Sequence, residues 1–179
     1  TNFYKLGGVQ AIGAMAYGTE TIPNVYKIFG PGNQYVTAAK QLVSLSGVGI
    51  DMPAGPSEVE ILADETANPQ YVASDFLSQA EHGVDSQSIL VTTDATLAEK
   101  VLVAIEEQKE LLPRKDIVEQ SLQNSLVFVF DNITDAIDFT NEYAPEHLII
   151  SCKDYNAIGE KIKNAGSVFL GPYTPESAG

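Results

Sequence analysis

The sequence predicts an α/β protein with layered, mostly parallel sheets and flanking helices. Two observations carry this. Apolar periodicity switches repeatedly between about 3.6 residues, the period of a helix with one buried face, and short continuous apolar runs, the mark of strands covered on both sides. The two patterns alternate along nearly the whole chain, as successive strand–crossover–strand units do. A third observation divides the chain. Met52-Pro53-Ala54-Gly55-Pro56-Ser57 places two prolines and a glycine within six residues, which neither a helix nor a central strand continues through. Residues 1–56 and 57–179 are therefore expected as separate lobes.

Taken in order, the Ala-rich stretch 9–17 reads as a helix. Val25-Tyr26-Lys27-Ile28-Phe29 reads as a strand ending in the turn Gly30-Pro31-Gly32-Asn33. A helix from 34 to about 43 and a short strand over 48–51 complete the first lobe. The pattern then restarts with a strand over 58–63. Helix 69–81 follows, its apolar face drawn from Val72, Ala73, Phe76, Leu77 and Ala80. Next come strand 88–93, helix 95–111, a short helical segment near 116–122 and strand 125–130. Helix 134–143, strand 147–151, helix 155–164 and strand 167–171 close the series. The second lobe thus holds about five strands, an ordinary size for such a sheet.

Composition narrows the function classes. A hydrophobic fraction of 44% over 179 residues suffices for a real core. The net charge of −14, from 24 acidic and 10 basic residues, repels a phosphate backbone, so no nucleic-acid partner is expected. No apolar stretch approaches the ~20 residues that span a bilayer, and no signal-peptide pattern is present, so no membrane partner is expected. The lone cysteine, Cys152, excludes an internal disulfide and suits a reducing, cytoplasmic setting. Thr1 stands where an initiator methionine would, and the chain stops in Thr174-Pro175-Glu176-Ser177-Ala178-Gly179; a piece of a longer polypeptide is expected.

The two histidines lie in polar sentences that no core pattern demands. In Ser78-Gln79-Ala80-Glu81-His82-Gly83, Gln79 and His82 stand at i and i+3, so an amide and an imidazole share one helical face. Mixed nitrogen and oxygen donors suit a divalent ion such as zinc. A plain helix end, with His82 meeting the dipole and Gly83 as the cap, explains the same residues without a metal. In Tyr143-Ala144-Pro145-Glu146-His147-Leu148, a carboxylate and an imidazole emerge together after a broken helix, types able to divide proton transfers between water and substrate. A polar surface loop is the alternative. Gly30-Pro31-Gly32-Asn33 opens a helix after a strand, as either a simple turn or a nucleotide loop; Tyr35 stands where a dinucleotide fingerprint has its third glycine. Gly7-Gly8-Val9-Gln10 is a similar helix entry with Gln10 available to a ligand. Cys152 ends an apolar strand, either as a thiolate nucleophile or as a small buried side chain. Ser57, the Gln79/His82 pair and Glu146-His147 fall at strand starts or at a helix end. They can meet on one sheet edge, though it is the edge opposite to where α/β ligands usually bind.

These segments, with Gly7-Gly8-Val9-Gln10-Ala11-Ile12, Ile28-Phe29-Gly30-Pro31-Gly32-Asn33, Asp51 through Glu58 and Thr174-Pro175-Glu176-Ser177, closely resemble histidinol dehydrogenases nearly end to end. The resemblance implies incomplete Rossmann-like lobes: an NAD-contacting one over 1–56, and one with the metal and catalytic residues over 57–179. It implies NAD and zinc as cofactors. Gln79 and His82 would be zinc ligands that also face the substrate, and Ser57 a substrate contact. Gln10 and Asn33 would be NAD contacts. Glu146 would activate water, and His147 would contact the substrate and handle its protons. It further implies L-histidinol as substrate, oxidised to L-histidine through the aldehyde in two hydride transfers, and a homodimer in the full-length protein. The family's other zinc ligands, an Asp directly after the position of Gly179 and a later His, fall outside the sequence, so the chain alone is expected to lack stoichiometric zinc and turnover. Two other classes stay open beside this one: a thiol-dependent aldehyde dehydrogenase using Cys152, and a non-catalytic nucleotide-binding module.

Overall fold

The structure is a computed structural model that describes residues 2–51 and 58–175. The chain divides into two compact units, Thr1–Pro56 and Ser57–Gly179. In the first, helix α1 (Gly8–Tyr17) is followed by strand β1 (Lys27–Ile28), helix α2 (Gln34–Ser44) and strand β2 (Gly49–Ile50). The two strands pair in parallel, with Lys27 opposite Gly49 and Ile28 opposite Ile50. Ile12, Ala16, Ile28, Val36 and Val43 form its small core. The strand expected over 25–29 is shorter here, since β2 offers a ladder of only two residues. Beyond it Tyr26 and Phe29 turn to solvent.

The second unit holds β3 (Glu58–Ala63), α3 (Pro69–Ala80), β4 (Gln87–Thr92), α4 (Ala95–Lys109) and α5 (Lys115–Ser121). A 3-10 turn (Leu122–Asn124) then leads to β5 (Leu126–Val129), α6 (Ile133–Tyr143), β6 (His147–Ser151), α7 (Tyr155–Gly159) and β7 (Ser167–Leu170). The five strands run in the order β5-β4-β3-β6-β7, every pairing parallel. Order reverses between β3 and β6, as in the first five strands of a doubly wound sheet.

Local chemistry explains the starts. Asn68 caps α3 by accepting from Gln70 N–H, with Pro69 at the first helical position where its missing N–H costs nothing. Asp94 and Asn132 cap α4 and α6 in the same way. Strand side chains alternate between two cores. Val59, Ile61, Ala63, Leu90 and Ile149 face α3 and α4, while Leu62, Ile89, Val91, Leu148 and Ile150 face α6 and α7. Each fully buried Val, Leu or Ile among them contributes about 1.5–3 kcal/mol relative to exposure.

Helix α7 stops at Gly159, well before the expected residue 164. Lys161 N–H bonds to Ile158 O and Ile162 N–H to Gly159 O, so the chain tightens into three-residue turns. A Cβ at Gly159 would lie 2.8 Å from Leu170 Cδ2, and this close helix–strand approach replaces a longer helix.

Candidate active site at the N-terminal edge of the sheet

The N-terminal edge of the second unit is built by neighbours in register. Glu58 lies opposite Gln87, Val59 opposite His147, and His147 opposite Ser167. The Glu146–His147 corner is therefore flanked by the start of β3 on one side and the start of β7 on the other. It is reached by a sharp exit from α6. Ala144 takes the left-handed conformation at φ 57°, its N–H closing on Thr140 O at 2.9 Å, and Pro145 prevents the helix from resuming.

His147 shares its side of the sheet with Ile149, which faces α3, and its ring lies 6.1 Å from that of Phe169 in the same core. Its Nδ1 is 3.3 Å from Glu58 O and 3.9 Å from Glu146 Oε2. A proton on Nδ1 donates to the carbonyl and leaves Nε2 with its lone pair free for a substrate. His147 and Glu146 are both partly exposed, so a ligand can reach them.

Helix α3 ends on the same edge. His82 is exposed, with Nδ1 3.0 Å from Ser78 O, so the ring caps a C-terminal carbonyl while Nε2 is left outward. Gly83 is not in the left-handed region, and Glu81 in right-handed geometry ends the helix instead; the glycine-cap alternative is thereby corrected. Gln79 is fully buried. The loop after His82 is braced from the 3-10 turn: Asn124 Nδ2 donates to Val84 O at 3.0 Å and Gln87 Nε2 to Asn124 O at 2.7 Å. Ser57 lies outside the described residues.

Zinc fits part of this arrangement. A histidine whose Nδ1–H is spent on a carbonyl presents Nε2 as a metal donor does. The described residues contain no group of three or more His, Cys, Asp or Glu that could hold a metal, so His82 and Gln79 would supply at most half of a tetrahedral set.

In the first unit, the turn after β1 lies at the carboxyl end of its strand, where α/β sheets receive ligands. Asn33 Oδ1 accepts from Tyr35 N–H and Val36 N–H at 3.1 and 3.2 Å, capping α2 and leaving its amide N–H groups exposed. Gly30 is held on both sides: its N–H donates to Asp51 Oδ2 at 2.8 Å and its carbonyl accepts from Lys40 Nζ at 2.9 Å. Lys40 is also paired with Asp51. The Gly30 N–H, and after it Lys40, hold the Asp51 carboxyl below the usual range. A Cβ at Gly32 would clash with the Val36 side chain, so glycine lets the turn pack on α2. Gln10 is exposed in the first turn of α1. This is a fixed turn with free amide donors, a donor set that fits a dinucleotide.

Cys152 lies elsewhere. It follows the last residue of β6, about 16 Å along the strand from His147 at ~3.3 Å per residue. The thiol is buried and donates to Leu62 O at 3.4 Å. Burial first, then the charge of Asp64, pushes its pKa up to about 12, so it is no thiolate at neutral pH.

Three neighbours of the corner were not singled out as site residues from sequence: Glu58, Tyr143 and Gly166. Tyr143 O–H donates to Gln87 Oε1 at 2.8 Å, and burial followed by the charge of Glu58 raises its pKa. Glu58 directly follows Ser57, and its place at a strand start was the available signal. Gly166 gave none, because glycine before a strand is commonplace.

Comparison with known proteins agrees with this architecture. The histidinol dehydrogenase family profile matches residues 1–179. Histidinol dehydrogenases of Bacteroides fragilis (strain YCH46) and Bacteroides thetaiotaomicron are 64% and 60% identical over 179 residues, all of this chain and 42% of theirs. A crystal structure of histidinol dehydrogenase from Elizabethkingia anophelis matches with a TM-score of 0.96 at 58% identity, covering 99% of this chain and 41% of that one. The chain thus spans less than half the length of these relatives. No helix among the described residues is long and apolar enough to cross a membrane. With every residue matched and the fold shared, the chain belongs to the histidinol dehydrogenase family, whose named members are oxidoreductases.

Proposed function

We propose that this chain carries the acid–base pair and part of the metal site of an NAD-dependent histidinol dehydrogenase, serving histidine biosynthesis in the cytoplasm as a homodimer. The substrate is L-histidinol, oxidised to L-histidine through L-histidinaldehyde in two hydride transfers. The observation that carries the reading is the Glu146–His147 corner, where an imidazole anchored at Nδ1 shares a sheet edge with His82.

His147 Nε2 takes the hydroxyl proton as the alcohol carbon gives up its first hydride. Glu146 takes a proton from the water that adds to the aldehyde. His147, its proton passed to solvent, takes the hydroxyl proton of the resulting hydrate as the second hydride departs. NAD, when bound, is the hydride acceptor; Gln10 and Asn33 would contact it. Zinc, when bound, orients the substrate, with Gln79 and His82 as its ligands from this chain. Ser57 would contact the substrate. The balance is one alcohol, one water and two NAD giving one carboxylate, two NADH and three protons, which leave through His147 and Glu146 to solvent. The acidic chain also favours approach of a cationic amino alcohol.

The test is NADH formation by a full-length protein carrying this chain, given L-histidinol before and after chelation and zinc replacement. Two NADH per histidinol are expected, with activity lost to chelation and restored by zinc; one NADH per substrate, or none, contradicts the reading. Cys152→Ala should retain turnover within about two-fold, because the thiol is buried and protonated. Abolished turnover would favour thiol chemistry instead.

A further inference from the structure

We propose that Glu58 and Gly166 clamp the Glu146 peptide from its two sides, and that Glu58 is a positioning residue for the Glu146–His147 pair. The proposal rests on the acid–base reading of that pair. Its ground is the hydrogen bonding of the two peptide groups on either side of the Glu146 Cα. Glu146 N–H donates to Glu58 Oε1 at 3.3 Å, while Glu146 O accepts from Ser167 N–H at 2.8 Å. Gly166 N–H donates to Pro145 O at 2.9 Å. Glu58 acts twice, since its backbone carbonyl is the partner of His147 Nδ1.

The side chain does what the ladder cannot. Pairing of β3 with β6 begins at Val59 and His147, so Glu146 N–H lies one residue before the first backbone pair. The Glu58 carboxylate supplies the acceptor, extending the β3–β6 ladder by one bond. On the other side, a Cβ at Gly166 would stand 2.6 Å from Glu146 O and 3.3 Å from its carbonyl carbon. Those are backbone atoms, which cannot rotate away, so any larger residue displaces Glu146 itself. An acid–base pair must be held to within about an ångström of its productive geometry, since a shift of that size costs about 10²-fold in rate.

The experiment uses the full-length protein. Glu58→Met keeps the volume and removes the acceptor; Glu58→Gln keeps an oxygen acceptor. The expected result is a fall in kcat of about 10–100-fold for Glu58→Met, with KM for histidinol within about three-fold. Glu58→Gln should recover kcat to within about five-fold of wild type, and Gly166→Ala should reproduce the Glu58→Met loss. A Glu58→Met enzyme with wild-type kcat, or a Glu58→Gln enzyme as slow as Glu58→Met, overturns the proposal. Hydrogen–deuterium exchange of the peptide spanning 143–149 decides the matter apart from activity. Exchange at least about ten-fold faster in Glu58→Met, with β4 peptides unchanged, supports the clamp; unchanged exchange overturns it. Wild type that makes no NADH from histidinol would sink the functional reading, and the exchange result would then judge the clamp alone.

Discussion

In a full-length protein carrying this chain, His147→Asn lowers kcat for histidinol oxidation by about 10²–10⁴-fold, the usual worth of a positioned acid–base group. Asparagine keeps an N–H that can reach Glu58 O, so the corner stays folded while the titrating Nε2 is lost. Glu146→Gln separates the two half-reactions. If Glu146 serves the water-addition step, this variant oxidises histidinaldehyde about 10²-fold more slowly than wild type, while its first hydride transfer from histidinol changes far less. Single-turnover NADH bursts from the alcohol and from the aldehyde distinguish the steps. Equal losses in both would assign Glu146 to structure, and normal turnover in both variants would leave a nucleotide-binding module as the better description.

The corner was legible because of what flanks it. A proline, a helix break and an apolar run isolate Glu146-His147, and a parallel sheet then follows from strands such as β4 and β6, whose buried centres show as unbroken hydrophobic runs. What held the pair in place was not legible. Glu58 reads as the polar start of a strand until register sets it one residue from the end of the β3–β6 ladder. Gly166 reads as a turn residue until the carbonyl of Glu146 lies where its Cβ would be. Both depend on residues about 90 and 20 positions apart meeting in space, and local patterns carry no such information. His82 was ambiguous for a different reason: capping Ser78 O and offering Nε2 outward are one ring orientation, so the structural and metal-binding readings coexist. In the first unit, Asn33 was likewise read as a ligand contact, and its oxygen caps α2.

Glu60→Gln stabilises the protein at pH 8 by up to about 3 kcal/mol, and the gain disappears below about pH 4.5. Glu60 occupies the middle of the central strand with no exposed surface, facing α6 between the neighbours Ile89 and Leu148. Its carboxyl is bonded to Thr140 Oγ1, which also bonds to Ala136 O at 3.0 Å. Thr140 has one hydroxyl proton for these two acceptors. A protonated Glu60 resolves the conflict by donating to Thr140, which then donates to Ala136. Burial, opposed by Thr140 and reinforced by the charge of Glu58, accordingly raises the Glu60 pKa from 4.5 to about 7. The sign follows from proton binding. Between about pH 4.5 and 7 the folded chain holds a proton that the unfolded chain releases, so stability falls as pH rises through that window and levels off above it. Glutamine keeps the shape and a donor for Thr140 without a charge to bury. Urea unfolding of wild type and Glu60→Gln at intervals from pH 4 to pH 8 reads the difference directly. The two stability curves should meet at the acid end and diverge to a plateau above pH 7; parallel curves would mean that the carboxyl ionises inside the sheet at no cost.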